Sequence, residues 1–98
     1  MTITKNQNGT ELDIALAGRL DTTTAPQLEG EMKHIIKDVT DLRFDFAELE
    51  YISSAGLRVL LAAQKVMNKQ GSMTIKNVND TIMEVFEITG FVDILTIE

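Results

Sequence analysis

An alternating apolar run that hands over to a helix start constrains this chain more than any other feature. Leu42, Phe44 and Phe46 alternate with Arg43 and Asp45, the period of a strand with one buried face. After Ala47-Glu48-Leu49-Glu50-Tyr51-Ile52, the residues Ser53-Ser54-Ala55-Gly56-Leu57 open a run with apolar side chains at three- and four-residue spacing. Short hydroxyl residues ahead of such a run mark a helix start, because their oxygens can accept from N–H groups the first turn leaves unpaired. The pattern predicts that the chain leaves the sheet after Phe46 through an acidic connection. Ile52 then anchors the return, and a helix begins at the serines.

The remainder repeats this alternation. Residues 2–7 and 10–17 are two short strands around Asn8-Gly9, a hairpin signal of the type I′ kind. Leu12, Ile14 and Leu16 alternate, and Gly18-Arg19-Leu20-Asp21 reads as a strand end turning away from the sheet. Thr24 with Gln27 fits a capping box, with Pro26 tolerated in a first turn, and Leu28, Met32, Ile35, Ile36 and Val39 form one apolar stripe. The second helix is expected to end at Gly71 in a left-handed cap. Met73, Ile75 and Val78 suggest a fourth strand, Asn79-Asp80-Thr81 caps a short helix with Ile82, Val85 and Phe86 inward, and Gly90 closes it. Phe91 and Val92 should tuck beneath that helix, and residues 93–97 give a last strand. The fold class is α/β: a mixed β-sheet in the order β-β-α-β-α-β-α-β, with helices mainly on one face because the strands alternate rather than run continuously apolar. Residues 1–98 read as one domain.

The helix that begins at the serines can be resolved further. At about 100° per residue, Val59, Leu60, Ala63, Val66 and Met67 share the arc expected to face the core. Leu57 and Leu61 fall on a neighbouring arc beside Gln64 and Asn68. Projected back, Ser54 turns outward next to those two leucines, and Ser53 lies nearer the buried edge as the better cap. Gly56, with no side chain, is expected to leave room for a visiting protein.

Composition narrows the chemistry. The chain has no cysteine, which excludes disulfides, zinc–thiolate sites and thiol nucleophiles. Fifteen acidic against nine basic residues give a formal charge of −6, which repels phosphate backbones, so nucleic acid is not an expected partner. No apolar run approaches the roughly 20 residues of a membrane span. Met1-Thr2-Ile3-Thr4-Lys5 lacks signal-peptide character, so the cytosol is the expected compartment. A nucleophilic serine needs a base, yet the single histidine, His34, falls on another helix among charged neighbours, and no G-x-S-x-G elbow is present. Phosphate-cradling loops are missing as well. Asp45, Glu48 and Glu50 read as a solvated edge rather than a metal cluster, so neither metal nor cofactor is expected, and no enzyme activity. What fits is a hydroxyl that accepts a phosphoryl group delivered by another protein's active site.

Three stretches then resemble one family. Tyr51-Ile52-Ser53-Ser54-Ala55-Gly56-Leu57 is similar to the signature of the STAS domain, named for sulfate transporters and anti-sigma factor antagonists. Gly18-Arg19-Leu20-Asp21-Thr22-Thr23-Thr24-Ala25 resembles its second motif, and Phe86-Glu87-Ile88-Thr89-Gly90-Phe91 its third. The resemblance implies a free-standing bacterial antagonist. Such a protein binds an anti-sigma factor that is also a serine kinase, frees a sigma factor, is switched off by phosphorylation, and is reset by a serine phosphatase. The usual motif is Asp-Ser-(Ser/Thr)-Gly-Leu, modified on the serine after the Asp. Laid on Gly56-Leu57, that serine is Ser54, with Ser53 the second choice. The chain departs from the motif in having Ser53 in the Asp position and Ala55 in place of the second hydroxyl. The partner surface implied is Asp21, Thr22, Ser53, Ser54, Ala55, Gly56, Leu57, Arg58 and Leu61. A second reading leaves the serines as a helix cap, in a non-phosphorylated scaffold or a subunit of a larger complex such as one for lipid transport.

Overall fold

In a computed structural model the chain runs β1 (Thr2–Asn8), β2 (Glu11–Leu20), α1 (Ala25–Ile35), β3 (Asp41–Ile52), α2 (Ser54–Gln70), β4 (Ser72–Lys76), α3 (Asp80–Thr89), a 3-10 turn (Phe91–Asp93) and β5 (Thr96–Ile97). Residues 1–35 and 37–98 are described; the expectation for Ile36, and that for the side chain of Ile35, lie outside the described residues. The strands form one sheet in the order β1-β2-β3-β4-β5, with β1 antiparallel to β2 and the remaining pairs parallel. Each crossover from β2 onward steps one strand in the same direction. Right-handed crossovers that all step one way put all their helices on one face. Burial follows: Leu12, Ile14, Leu16, Leu42, Phe44, Phe46, Met73 and Ile75 are sealed under the helices. Their alternate neighbours Asp13, Ala15, Arg43, Asp45 and Thr74 are half-exposed on the other face.

Several local expectations change. The hairpin turns at Gly9-Thr10, because Asn8 still pairs with Glu11, and only Gly9 has a positive φ (64°). Positive φ at the first central position alone is the II′ pattern, not I′. β2 does not turn away at Gly18 but continues to Leu20, paired with Ile52. The acidic stretch is not a connection either. Asp45 to Ile52 stays in β3, and two irregularities in the β2–β3 register absorb the extra residues, between Ala15/Ala17 and between Gly18/Arg19. Each gives β3 one more residue than β2, so the buried positions pass from Phe46 to Leu49 to Ile52 instead of alternating. Gly71 is extended (φ 173°) rather than left-handed, and a side chain there would collide with the Thr40 carbonyl. Asn79 caps α3 as expected, accepting from the Ile82 N–H at 2.8 Å, and Gly90 closes it with φ 79°. Ile82 and Phe86 are buried and Val85 half-buried, but Val92 is exposed, and the last strand shrinks to Thr96–Ile97.

The mouth of helix α2 as candidate functional site

Ser53 joins two loops at the C-terminal edge of the sheet. Its N–H donates to the Leu20 carbonyl at 2.9 Å, and its own carbonyl accepts from the Leu57 N–H at 3.0 Å, which starts the helix. Ser53 therefore occupies the cap position, in extended conformation, but its hydroxyl does not cap. The Oγ is buried and has no hydrogen-bond partner among the described residues. The first N–H groups of a helix have no intrahelical acceptor, and here, among the described residues, no side chain caps them. Ser54 stands at this open, electropositive end and is exposed, as the helical projection implies. Arg58, one turn on, is also exposed.

Three neighbours lie elsewhere than expected. Gly56 faces inward and is buried; a Cβ there would meet Leu20 Cγ at 2.7 Å and Ile52 Cγ1 at 2.9 Å. The glycine lets α2 sit tightly on the strand ends and opens nothing to a visitor. Leu57 is only 4% exposed, so the interior claims it, and Leu61 is half-buried. The core stripe of α2 is accordingly Gly56, Leu57, Val59, Leu60, Ala63, Gln64 and Met67, with Val66 38% exposed. Close approach at Gly56 rolls the helix so that Leu57 and Gln64 turn in and Val66 turns out. The apolar surface near Ser54 is thus on the α1 side. A groove of about 250 Å³ between the two helices is lined there by Ala25, Pro26, Ala55, Val59 and Ala62 together with the polar Thr22, Glu29 and Arg58.

The neighbouring loop is held by Asp21. Its Oδ1 accepts from the N–H groups of Thr23 (3.0 Å) and Thr24 (3.1 Å), and Thr24 Oγ1 accepts from the Asp21 N–H at 2.8 Å. This is a reciprocal cap with Asp21 at the cap and Thr24 three residues on, one turn ahead of the expected Thr24–Gln27 box. Donation from the Thr24 backbone, helped by Thr23 and by Arg19, holds the Asp21 carboxyl below the usual range. Arg19 also stacks over the Tyr51 ring at 4.3 Å. Because Leu20 pairs with Ile52, the residues that follow them, Asp21-Thr22 and Ser53-Ser54, begin side by side.

Among the described residues no cluster of histidine and acidic side chains could hold a metal, and no helix is long and apolar enough to cross a membrane. One signal was missed in the sequence: α2 contains Arg58, Lys65 and Lys69 and no acidic residue at all. The chain is matched over residues 3–96 by the family described as Mlab, STAS domain. It is 32% identical over 92 residues to the anti-sigma-B factor antagonist of Bacillus subtilis (strain 168), covering 93% of this chain and 84% of that protein. Among solved structures, SpoIIAA in its unphosphorylated form superposes with a TM-score of 0.78 at 19% identity, covering 99% of this chain and 87% of the other. The phosphorylated form of the Bacillus protein gives 0.77 at 20%, covering 99% and 91%. An anti-sigma factor antagonist from Mycobacterium paratuberculosis gives 0.86 at 20%, covering 98% and 83%. With a serine at the open end of the second helix, a capped Asp21 loop beside it and this sequence match nearly end to end, the chain belongs to the STAS domain family.

Proposed function

We propose that this protein is an anti-sigma factor antagonist, acting in the cytoplasm as one STAS domain. Unmodified, it binds an anti-sigma factor that is also a serine kinase and so frees a sigma factor. Phosphorylation of Ser54 releases it, and a serine phosphatase restores it. The single observation that carries this reading is the exposure of Ser54 at an uncapped helix mouth. The docking surface is Asp21, Thr22, Ser53, Ser54, Ala55, Arg58 and the exposed part of Leu61, while Gly56 and Leu57 act from inside by seating the helix.

A phosphate brings about −1.5 to −2 charge. At an exposed helix N-terminus that charge is favourable by roughly 0.3–1 kcal/mol, so the domain keeps its fold. Desolvated in an interface shaped for a hydroxyl, the same charge is repelled, and a penalty of about 3 kcal/mol weakens binding more than a hundredfold. The test is incubation with purified serine-kinase anti-sigma factors and ATP, with the phosphate located by mass spectrometry. Phosphate on Ser54, lost in Ser54→Ala, kept in Ser53→Ala and accompanied by release of the partner, is the expected outcome. Stable binding without any transfer to Ser54 would turn the assignment to a non-phosphorylated scaffold.

A further inference from the structure

We propose that the exposed ridge of α2, with the groove beside it, docks an acidic amphipathic helix of the anti-sigma factor; this rests on the antagonist reading above and says which surface beyond Ser54 the partner covers. Arg58, Lys65 and Lys69 are seven and eleven residues apart, close to two and three whole turns, so they lie along one line of the helix. Ala62 continues that line, and Ser54 stands one turn before Arg58. Arg58, Ala62, Lys65 and Lys69 are all exposed. The three cations span about 16 Å at roughly 1.5 Å per residue. Among the described residues none of them has an ion-pair partner, which is also true of Lys37 and Lys76 but not of Lys5, Arg19, Lys33 and Arg43.

This cationic line is out of character for the chain. The protein carries −6 overall, and residues 80–98 hold Asp80, Glu84, Glu87, Asp93 and Glu98 with no basic residue. Parallel to the ridge, the groove next to Ser54 continues along the helix into a second hollow of about 270 Å³, floored by Met32, Val59, Ala63 and Val66. Glu29, Val59 and Ala62 line both. A row of positive charge flanking a mostly apolar trough for about three turns is complementary to a helix with acidic residues on one side and apolar residues on the next. The arrangement also links docking to the switch. A phosphate on Ser54 adds negative charge at the head of the cationic line, cancels part of its field, and repels the acidic partner.

The experiment measures binding of purified serine-kinase anti-sigma factors by titration calorimetry at low and high salt. Its variants are the charge reversal Lys65→Glu/Lys69→Glu, the groove variant Val66→Ser, and a control reversal on α3, Glu84→Lys/Glu87→Lys. Circular dichroism checks that each is folded. The expected result is wild-type binding that weakens with salt, a loss of at least tenfold in the ridge variant, several-fold in the groove variant, and no loss in the control. Wild-type binding that the ridge and groove variants retain overturns this inference and leaves the antagonist reading intact. Failure of the wild type to bind any of these kinases overturns both. Binding of the wild type, but not the ridge variant, to vesicles of anionic lipid in place of the kinases reassigns the ridge to a membrane surface and overturns it as well.

Discussion

Replacing Gly56 with alanine separates two roles that a glycine at a helix mouth can have. If the residue only keeps the surface clear for a partner, alanine should stabilise the free protein, since glycine in a helix costs roughly 0.5–1 kcal/mol relative to alanine. The structure gives the opposite sign. The new methyl would lie 2.7 Å from Leu20 Cγ and 2.9 Å from Ile52 Cγ1, and both of those side chains are sealed in the core, at 0% and 2% exposure. Neither has free space to retreat into, so the helix must lift or the two strand ends must shift. Overpacking of a closed core costs about 1–3 kcal/mol. Set against the propensity gain, the net loss is up to about 2.5 kcal/mol and centred near 1 kcal/mol, and at about 4–8 °C per kcal/mol for a domain of this size the central value lowers Tm by about 4–8 °C. Thermal unfolding followed by circular dichroism, with urea unfolding as a second measure, reads this directly. A Gly56→Ala protein that melts at or above the wild-type temperature would refute the packing argument and return the glycine to the role of clearing a surface.

Three further outcomes follow from the same contacts. Ser53→Ala should change stability by less than about 0.5 kcal/mol, although losing a serine N-cap ordinarily costs about 0.5–2 kcal/mol, because this hydroxyl makes no cap bond; a loss above about 1 kcal/mol in urea unfolding would show that it does cap. Gln64→Leu should stabilise the protein by about 1 kcal/mol, since Gln64 is 6% exposed with a buried Oε1 that has no partner among the described residues, and its side-chain amide N–H donates to Asn68, which is exposed and can turn to water; equal or lower denaturation midpoints would count against it. Asp21→Ala should lower Tm at neutral pH, with the gap to wild type closing in acid. The sign follows from linkage: a carboxyl held below its ordinary range stabilises the fold fully above about pH 4 and loses that contribution as pH falls through its lowered value. Melting curves for both proteins across that window make the check, and a gap that persists unchanged in acid would sink the reading.

Near-neighbour chemistry made much of this molecule legible in the sequence. Alternation in Leu12-Ile14-Leu16 and Leu42-Phe44-Phe46 marks one-sided strands, and Asn79 and Gly90 bracket α3 with groups that act within a turn of themselves. The order of elements then dictates the layering, because crossovers of one hand that step in one direction share a face. The outward position of Ser54 follows from the same helical arithmetic. What the tertiary structure decided was how those pieces register against one another. Strand β3 continues through Asp45–Ile52 because β2 is there to pair with it, and the slips that bring Leu49 and Ile52 inward exist only in that pairing. The roll of α2, which buries Leu57 and Gln64 and exposes Val66, is set by the contact of Gly56 with Leu20 and Ile52, residues that come from two other segments of the chain. A helical projection fixes angles within one helix but carries no origin. That origin comes from steric contact with the ends of two strands, one of them, at Leu20, distant in sequence, and here it moved the apolar surface beside Ser54 from the two leucines to the α1 side.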